Sequence, residues 1–243
     1  MNTLKILSSY ILLYLLLLPS WGSDQNIYMG DISIHPAKPF FIYGEPVVMN
    51  VVISNGHPDE VTAYTELQNG IGATYELSSD NKIYSIIASG FHRDPVGKTQ
   101  ILNPGEVISH DEVLLYNWRQ RTPLFQIGTN YVRVTYYGNK STPVPVIIIP
   151  PSNEEDVLSS QIMSSPEVMK AIALKNISEV RSELNTVAKQ GSCLSPYAAL
   201  FLVTYEESYM PEDVDDLLNI ADKSGFPLRS QVIKIKDSRK STE

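Results

Sequence analysis

The sequence predicts a β-sandwich of about seven strands followed by a small all-α helical-hairpin domain. Up to residue 151, short β-branched and aromatic runs alternate with turn signals and carry no helical pattern, which is typical of sandwiches and barrels. Beyond residue 151, apolar residues recur at spacings of three and four, and prolines follow helix-capping residues. Both features are typical of helices. The predicted domains are therefore 24–151 for the sandwich and 152–243 for the helices.

Residues 1–22 have the layout of a secretory signal peptide. Lys5 precedes an apolar block from Tyr10 to Leu18, and small residues follow at Ser20 and Gly22, which together resemble a charged start, an apolar middle and a cleavage site. The apolar block is shorter than the ~20 residues that a membrane-spanning helix needs. We therefore expect cleavage, export to the periplasm or the extracellular space, and no transmembrane segment in the mature chain.

The acidic composition disfavours one class of partner. The net charge is −8 at pH 7, whereas non-specific binding to nucleic acid or to anionic lipid needs a basic surface. Cys193 is the single cysteine of the chain, so no intramolecular disulfide can form. We expect buried cores alone to stabilise the fold, no nucleic-acid partner, and instead a protein or another envelope component as the binding partner.

The predicted strands of the first domain are separated by turns rich in Gly, Pro and Asn. In the segment 131–136, Val132, Val134 and Tyr136 alternate with polar or exposed positions and are expected to face the core. Pro143 and Pro145 cannot donate ladder hydrogen bonds, so the start of the last strand is expected to lie at an edge. The predicted strands cover 31–34, 47–53, 82–87, 107–116, 131–136 and 144–149.

Three segments of the first domain carry a resemblance to a known fold family. Tyr43-Gly-Glu-Pro-Val-Val48, Leu102-Asn-Pro-Gly-Glu106 and Gly128-Thr-Asn-Tyr-Val-Arg-Val134 resemble the order of cues in immunoglobulin-like and fibronectin-like sandwich domains of exported bacterial proteins. The resemblance implies an immunoglobulin-like fold in which the strand after Gly128 carries a tyrosine corner, and it implies no function. The paired cysteines of antibody domains are not matched, because no cysteine precedes position 193.

A second resemblance keeps an alternative function open. The order of Leu102–Glu106, Trp118 and Gly128–Tyr131 is similar to that in small β-sandwich proteinase inhibitors of bacilli, although no reactive loop can be transferred residue by residue.

The helical half is expected to begin after Pro150-Pro151. Ser165-Pro166 and Ser195-Pro196 each place a capping residue before a proline at the first helical position, and Pro211 and Pro227 repeat the proline start. The segment from Pro196 to Tyr209 is apolar nearly all round and is expected to be the most buried helix. Another apolar stripe has helical spacing and consists of Ala173, Ile177, Val180, Leu184 and Val187.

No catalytic, cofactor or metal site is predicted. The four histidines include no pair at i, i+4, the spacing expected of a helical zinc site, and His110-Asp111-Glu112 is expected to be exposed strand surface. Cys193 would need a histidine from the first domain to act as a nucleophile, and a packed free thiol is the competing interpretation. We therefore predict that the protein is not an enzyme.

The candidate binding loop contains Trp118, Arg119 and Arg121. Loops at the ends of sandwiches often carry binding, and Trp with Arg is typical of interface hot spots. The predicted function is a non-catalytic binding or adaptor protein of the cell envelope or extracellular space. A proteinase inhibitor and a hydrolase using Cys193 remain alternatives. Asn139 and Asn176 fit the glycosylation sequon, and their use is left open.

Overall fold

A computed structural model describes residues 30–64, 73–79, 82–87, 99–117, 121–205 and 211–241. The strands of the described residues precede the helices along the chain. They are β1 Asp31–Pro36, β2 Phe40–Ile42, β3 Val47–Ser54, β4 Val61–Tyr64, β5 Ala73–Ser79, β6 Lys82–Ile87, β7 Thr99–Leu102, β8 Val107–Leu114, β9 Tyr116–Asn117, β10 Thr122–Pro123, β11 Gly128–Tyr136, β12 Asn139–Lys140 and β13 Val144–Ile149.

The helices of the described residues are α1 Glu154–Met163, α2 Pro166–Ala173, α3 Arg181–Lys189, α4 Ser195–Tyr205, α5 Pro211–Ala221 and α6 Arg229–Lys240, with a short 3-10 helix at Ser178–Val180 between α2 and α3. No helix in this part of the chain is long and apolar enough to cross a membrane.

Two main sheets enclose the first core. A six-stranded sheet has the order β2-β13-β11-β5-β6, with β12 paired to β11, and a three-stranded sheet has the order β1-β3-β8. Their facing sides bury a common set of apolar residues that includes Phe41, Val51, Tyr75 and Val134. The described strands also form two small pairs, β4 with β7 and β9 with β10.

Strand β11 confirms the expected alternation. Val132, Val134 and Tyr136 are buried in the first core, whereas Tyr131 is exposed on the other side of the sheet. The prolines of β13 also have the expected consequence, because β2 pairs only with Ile147–Ile149. The start of β13 therefore lacks a neighbour on the β2 side and needs no donor from Pro145.

The start of α2 follows the predicted capping pattern. The Ser165 side chain accepts a hydrogen bond from the Val168 amide, and Pro166 occupies the first turn of α2. The other predicted starts differ in part, because α4 begins at Ser195 itself, whose hydroxyl donates to the Val187 carbonyl, and α6 begins at Arg229, two residues after Pro227. Residues Ser195 to Leu202 of α4 are all buried, which confirms the expected burial over that part of the predicted segment. Residues 206–210 lie outside the described part of the chain. The stripe from Ala173 to Val187 is divided among α2, the 3-10 helix and α3, so it is not one helical face.

The predicted fold class, an immunoglobulin-like sandwich of about seven strands followed by a separate helical hairpin, is wrong. The described residues form thirteen strands in four sheets, with a parallel β2–β13 pair, and six α-helices. The helices do not stand apart, since Val48, Leu115 and Tyr116 belong to the same buried cluster as the helical residues.

The physical reason for this error lies in β3 and β8. Val48 and Val113 are opposite each other and face the helices, whereas Val47 and Leu114 face the first core. At this end of the sheet both sides are therefore covered by protein, whereas Ser109, farther along the second side, is exposed. A β-branched run indicates burial on two sides, but it does not reveal that helices from the other end of the chain cover the second side. The boundary at residue 151 stays a prediction.

Candidate binding surface

Large apolar side chains are exposed next to one another on the outer face of the six-stranded sheet. Phe40, Tyr131 and Ile147 are 50%, 47% and 42% exposed. Phe40 is paired with Ile147 across β2 and β13, and Tyr131 is paired with Pro145 across β11 and β13. Neighbouring strands lie about 4.8 Å apart, so these residues are contiguous. We call Phe40, Tyr131, Pro145 and Ile147 the outer-face patch.

An ion-pair group borders the outer-face patch. Arg133 lies two residues after Tyr131 on the same face of β11, and its guanidinium pairs with Glu76 on β5. Lys140 lies 3.7 Å from the other Glu76 oxygen. The hydrogen bond from Arg133 is the main cause of the lowered pKa of Glu76. An apolar centre with a charged border is the usual composition of an interaction surface.

The alternation of β13 produces this exposure. Val146 and Ile148 are buried in the first core, which places Ile147 on the opposite side. Nothing in the packing of the core requires an apolar residue at an outward position. Single exposed apolar residues are common, but a contiguous group of them marks an interaction site in many proteins. The sequence pattern predicted binding at the loop with Trp118, Arg119 and Arg121 and did not indicate this surface.

The structure describes one residue of the predicted binding loop. Arg121 is exposed, has a φ of 56°, and lies in the hairpin that joins β9 to β10. That hairpin packs against α2, on the helical side of the three-stranded sheet. Trp118 and Arg119 lie outside the described residues. The role of the loop stays a prediction, and it belongs to a different part of the molecule from the outer-face patch.

A second group of polar residues joins the strands to the helices. Glu45, in the turn between β2 and β3, is buried, forms an ion pair with Lys38, and accepts a hydrogen bond from the Ile42 amide at 2.8 Å. The buried Tyr197 hydroxyl of α4 has no hydrogen-bond partner among the described atoms. Burial first, and then the Glu45 carboxylate, raises the pKa of Tyr197. We call Lys38, Glu45, Asp156, Cys193 and Tyr197 the junction cluster.

Asp156 and Cys193 complete the junction cluster. The Asp156 carboxylate of α1 accepts hydrogen bonds from the Cys193 amide at 2.9 Å and from the Asn153 side chain at 2.7 Å. Cys193 is exposed, yet partial burial and then Asp156 raise the pKa of its thiol to about 12. Because the thiolate is the nucleophilic form, this arrangement suppresses the reactivity that a hydrolase using Cys193 would need.

No local sequence pattern reveals the junction cluster. Asp156 lies more than 100 residues after Glu45. In the sequence, Glu45 belongs to a Gly-Glu-Pro turn, and Asp156 is one of the acidic residues at a predicted helix start.

The expectation that His110-Asp111-Glu112 is exposed is wrong for Glu112, which is buried. The reason is that alternate residues of β8 face the first core. In the part of the chain that the structure describes, no three His, Cys, Asp or Glu residues are grouped so as to hold a metal ion.

Comparisons with known proteins give little further guidance. No protein-family model matches the chain, and neither does any curated protein. Among solved structures, a β-glucosidase from Erythrobacter marinus is 10% identical over 49% of this chain and 15% of its own, with a TM-score of 0.29. A Listeria innocua β-glucosidase is 13% identical over 49% of this chain and 16% of its own, with a TM-score of 0.28.

A sporulation control protein from Bacillus subtilis is 13% identical over 55% of this chain and 54% of its own, with a TM-score of 0.29. This chain therefore spans less than two thirds of each of these three structures. At such low TM-scores the likeness to two glycosidases is no positive sign of an enzyme, and it carries no conclusion about substrate or partner.

Proposed function

We propose that this chain is an exported, non-catalytic binding protein of the cell envelope or extracellular space, and that it binds a protein or another envelope component through the outer-face patch. The observation that carries the proposal is the contiguity of Phe40, Tyr131 and Ile147 on neighbouring strands, each about half exposed. Removal of such apolar area from water provides ~25 cal/mol per Å², and aromatic residues dominate binding hot spots.

The charged border of the outer-face patch favours binding to a specific partner over non-specific hydrophobic association. Arg133 and Glu76 neutralise each other beside Tyr131, so a partner can cover the patch without burying an unpaired charge. The acidic net charge of −8 disfavours anionic surfaces as that partner. Export rests on the leader-like residues 1–22, and the absence of catalysis is supported by the raised pKa of Cys193, the most obvious nucleophile.

Pull-down from the native envelope fraction tests the proposal. The bait is the mature protein, compared with a variant that carries Phe40→Ser and Ile147→Ser. The matched control carries Ile101→Ser and Val107→Ser, two residues on β7 and β8 that are 59% and 56% exposed. All four substitutions remove exposed apolar surface and leave the net charge unchanged. We therefore expect the patch variant and the control variant to have similar thermal unfolding temperatures.

We expect the same partner with the parent protein and the control, and a recovery at least tenfold lower with the patch variant. Equal recovery with the patch variant contradicts the role of the patch. A further bait that carries Arg121→Ala tests the predicted binding loop. If this variant loses the partner and the patch variant does not, the contact is assigned to the β9–β10 hairpin.

A further inference from the structure

A group of ionisable side chains faces the first core, with Glu112 and Tyr75 buried and His110 half-buried. His110 and Glu112 are paired with Val51 and Met49 on β3, two residues buried in that core. Residues paired across neighbouring strands share a face of the sheet, so His110 and Glu112 point toward the six-stranded sheet. Glu112 is only 3% exposed, and Tyr75 on β5 enters the same core with no exposed surface.

Two atoms of this group lack hydrogen bonds among the described residues. These are the Tyr75 hydroxyl oxygen and His110 Nε2, both buried. Orphaned polar atoms are uncommon in a folded core, and each one destabilises the fold. Burial first, and then the nearby Glu112, raises the pKa of Tyr75, which indicates that the two side chains are close. The apolar core thus contains a carboxyl group that is poorly solvated in its charged form.

We propose that Glu112, buried beside Tyr75, makes the packing of the two main sheets proton-dependent, so that proton uptake by Glu112 tightens the sandwich and proton release loosens it. The inference does not depend on the outer-face patch. It rests on the placement of a carboxyl group and two unsatisfied polar atoms between the facing sides of β8 and β5.

The surroundings of Glu112 define the direction of the effect. Burial is the main cause that raises the pKa of Glu112 to about 7. The positive charge of Lys175, in the turn after α2, lowers this pKa, and the negative charge of Asp111 raises it. The described groups around this carboxyl are Tyr75 from β5, Lys175 from the helical side, and His110 and Asp111 from β8 itself, while β3 contributes the apolar Met49.

The folded state therefore binds more protons at Glu112 than the unfolded state between about pH 4.5 and 7. Linkage then requires stability to fall as the pH rises through this window. His110 acts in the opposite direction, since burial lowers its pKa below 6.5. The stability that His110 contributes is present above the pKa that histidine has in the unfolded chain, and it is lost as the pH falls through the lower pKa of the folded state.

The test compares the unfolding equilibria of the parent protein and Glu112→Gln from pH 4.5 to 8. Glutamine resembles the protonated carboxyl in shape and charge, and the difference between the two proteins cancels the contribution of His110. We expect the stability advantage of the variant over the parent to grow as the pH rises, on the order of a hundredfold in the unfolding constant. Glu60→Gln, at an exposed position, is the matched control and should show no such trend.

A pH-independent difference between the parent and Glu112→Gln overturns the proposal. Carbon-13 NMR of the Glu112 carboxyl in the parent protein provides a second readout that needs no variant. Titration near pH 7 supports the proposal, and titration in the ordinary range of glutamate, about 4.3, overturns it. Hydrogen exchange of the β3 and β8 amides, corrected for its intrinsic pH dependence, should accelerate above pH 7 in the parent and not in Glu112→Gln.

Discussion

Cys193 illustrates how neighbouring groups determine the chemistry of a single residue. The sequence leaves two interpretations open, a nucleophile or an inert free thiol, because a cysteine after Gly-Ser and before a Ser-Pro helix start suits both. The structure places the carboxylates of Asp156 and Glu45 near the thiol, and partial burial adds to their effect on its pKa. These influences all disfavour the thiolate, and the smaller effect of Lys38 opposes them.

We predict slow alkylation of Cys193 in the folded protein. With a pKa of about 12, the thiolate fraction at pH 8 is on the order of a thousandfold below that of an ordinary cysteine. The rate of reaction with a thiol-specific reagent should therefore be at least tenfold lower in folded than in urea-unfolded protein, and it should keep rising with pH beyond 9. Asp156→Asn, which removes one carboxylate, should speed up the folded-state reaction.

Equal labelling rates for folded and unfolded protein at pH 8 would contradict this prediction and restore the hydrolase alternative. The unfolded protein serves as the internal reference, since it contains the same single cysteine.

At the scale of elements, the β2–β3 turn and helix α1 form a close contact between the two halves. Gly44 has a φ of 87°, and a Cβ atom there would lie 2.8 Å from the Ser160 carbonyl oxygen. The Ser160 hydroxyl donates a hydrogen bond to the Tyr43 carbonyl at 2.5 Å. Gly44 is thus needed both for its backbone conformation and for the close approach of the helix.

Substitution of Gly44 by alanine should reduce the free energy of unfolding by about 3 kcal/mol, since the left-handed conformation costs ~1–2 kcal/mol and the clash with α1 adds to it. Gly105→Ala provides the matched control. Gly105 has a φ of 80° and nothing within 4 Å of the added Cβ, so it should lose only about 1 kcal/mol. Chemical denaturation of both variants measures the difference, and equal losses would show that α1 does not restrain the turn.

At the scale of the whole molecule, the three-stranded sheet is shared by two cores. One side packs against the six-stranded sheet, and the other, through Val48 and Val113, packs into the helical cluster, which Leu115 and Tyr116 of the following segment also join. The junction cluster adds a polar contact between the strands and the helices, because the Glu45 carboxylate lies near Tyr197 and Cys193. Loss of the helices would expose apolar surface on β3 and β9 and leave Glu45 without its packing against α4.

We predict that the two halves unfold in one cooperative transition. Far-ultraviolet circular dichroism at the helical minimum and near-ultraviolet signals from the tyrosines, of which Tyr75 and Tyr136 are buried in the first core, should give the same denaturation midpoint. Two separated midpoints would contradict this expectation and would support independent domains on either side of residue 151. Gly44→Ala should lower both signals' midpoints together, because the contact that it perturbs joins the halves.

Local rules account for the parts of the structure that the sequence predicted well. The Ser165-Pro166 helix start, the buried α4 and the inward residues of β11 each depend on capping or periodicity within about ten residues. The outer-face patch and the Glu112 group were missed, although both lie on strands whose alternation was visible. Ile147 is apolar yet exposed, and Glu112 is ionisable yet buried, so both are exceptions to the hydrophobic pattern. The pattern alone does not show which residues are its exceptions.

By itself, therefore, the sequence determined the capped start of α2, the burial of α4, which residues of β11 face inward, and that no disulfide can form within the chain. Only the tertiary structure decided that helices cover the second side of β3 and β8, that Glu45 meets Tyr197, and that Glu112 lies between the sheets. The physical reason is that capping and alternation are properties of neighbouring residues, whereas burial and pKa shifts depend on groups that folding brings together from distant positions.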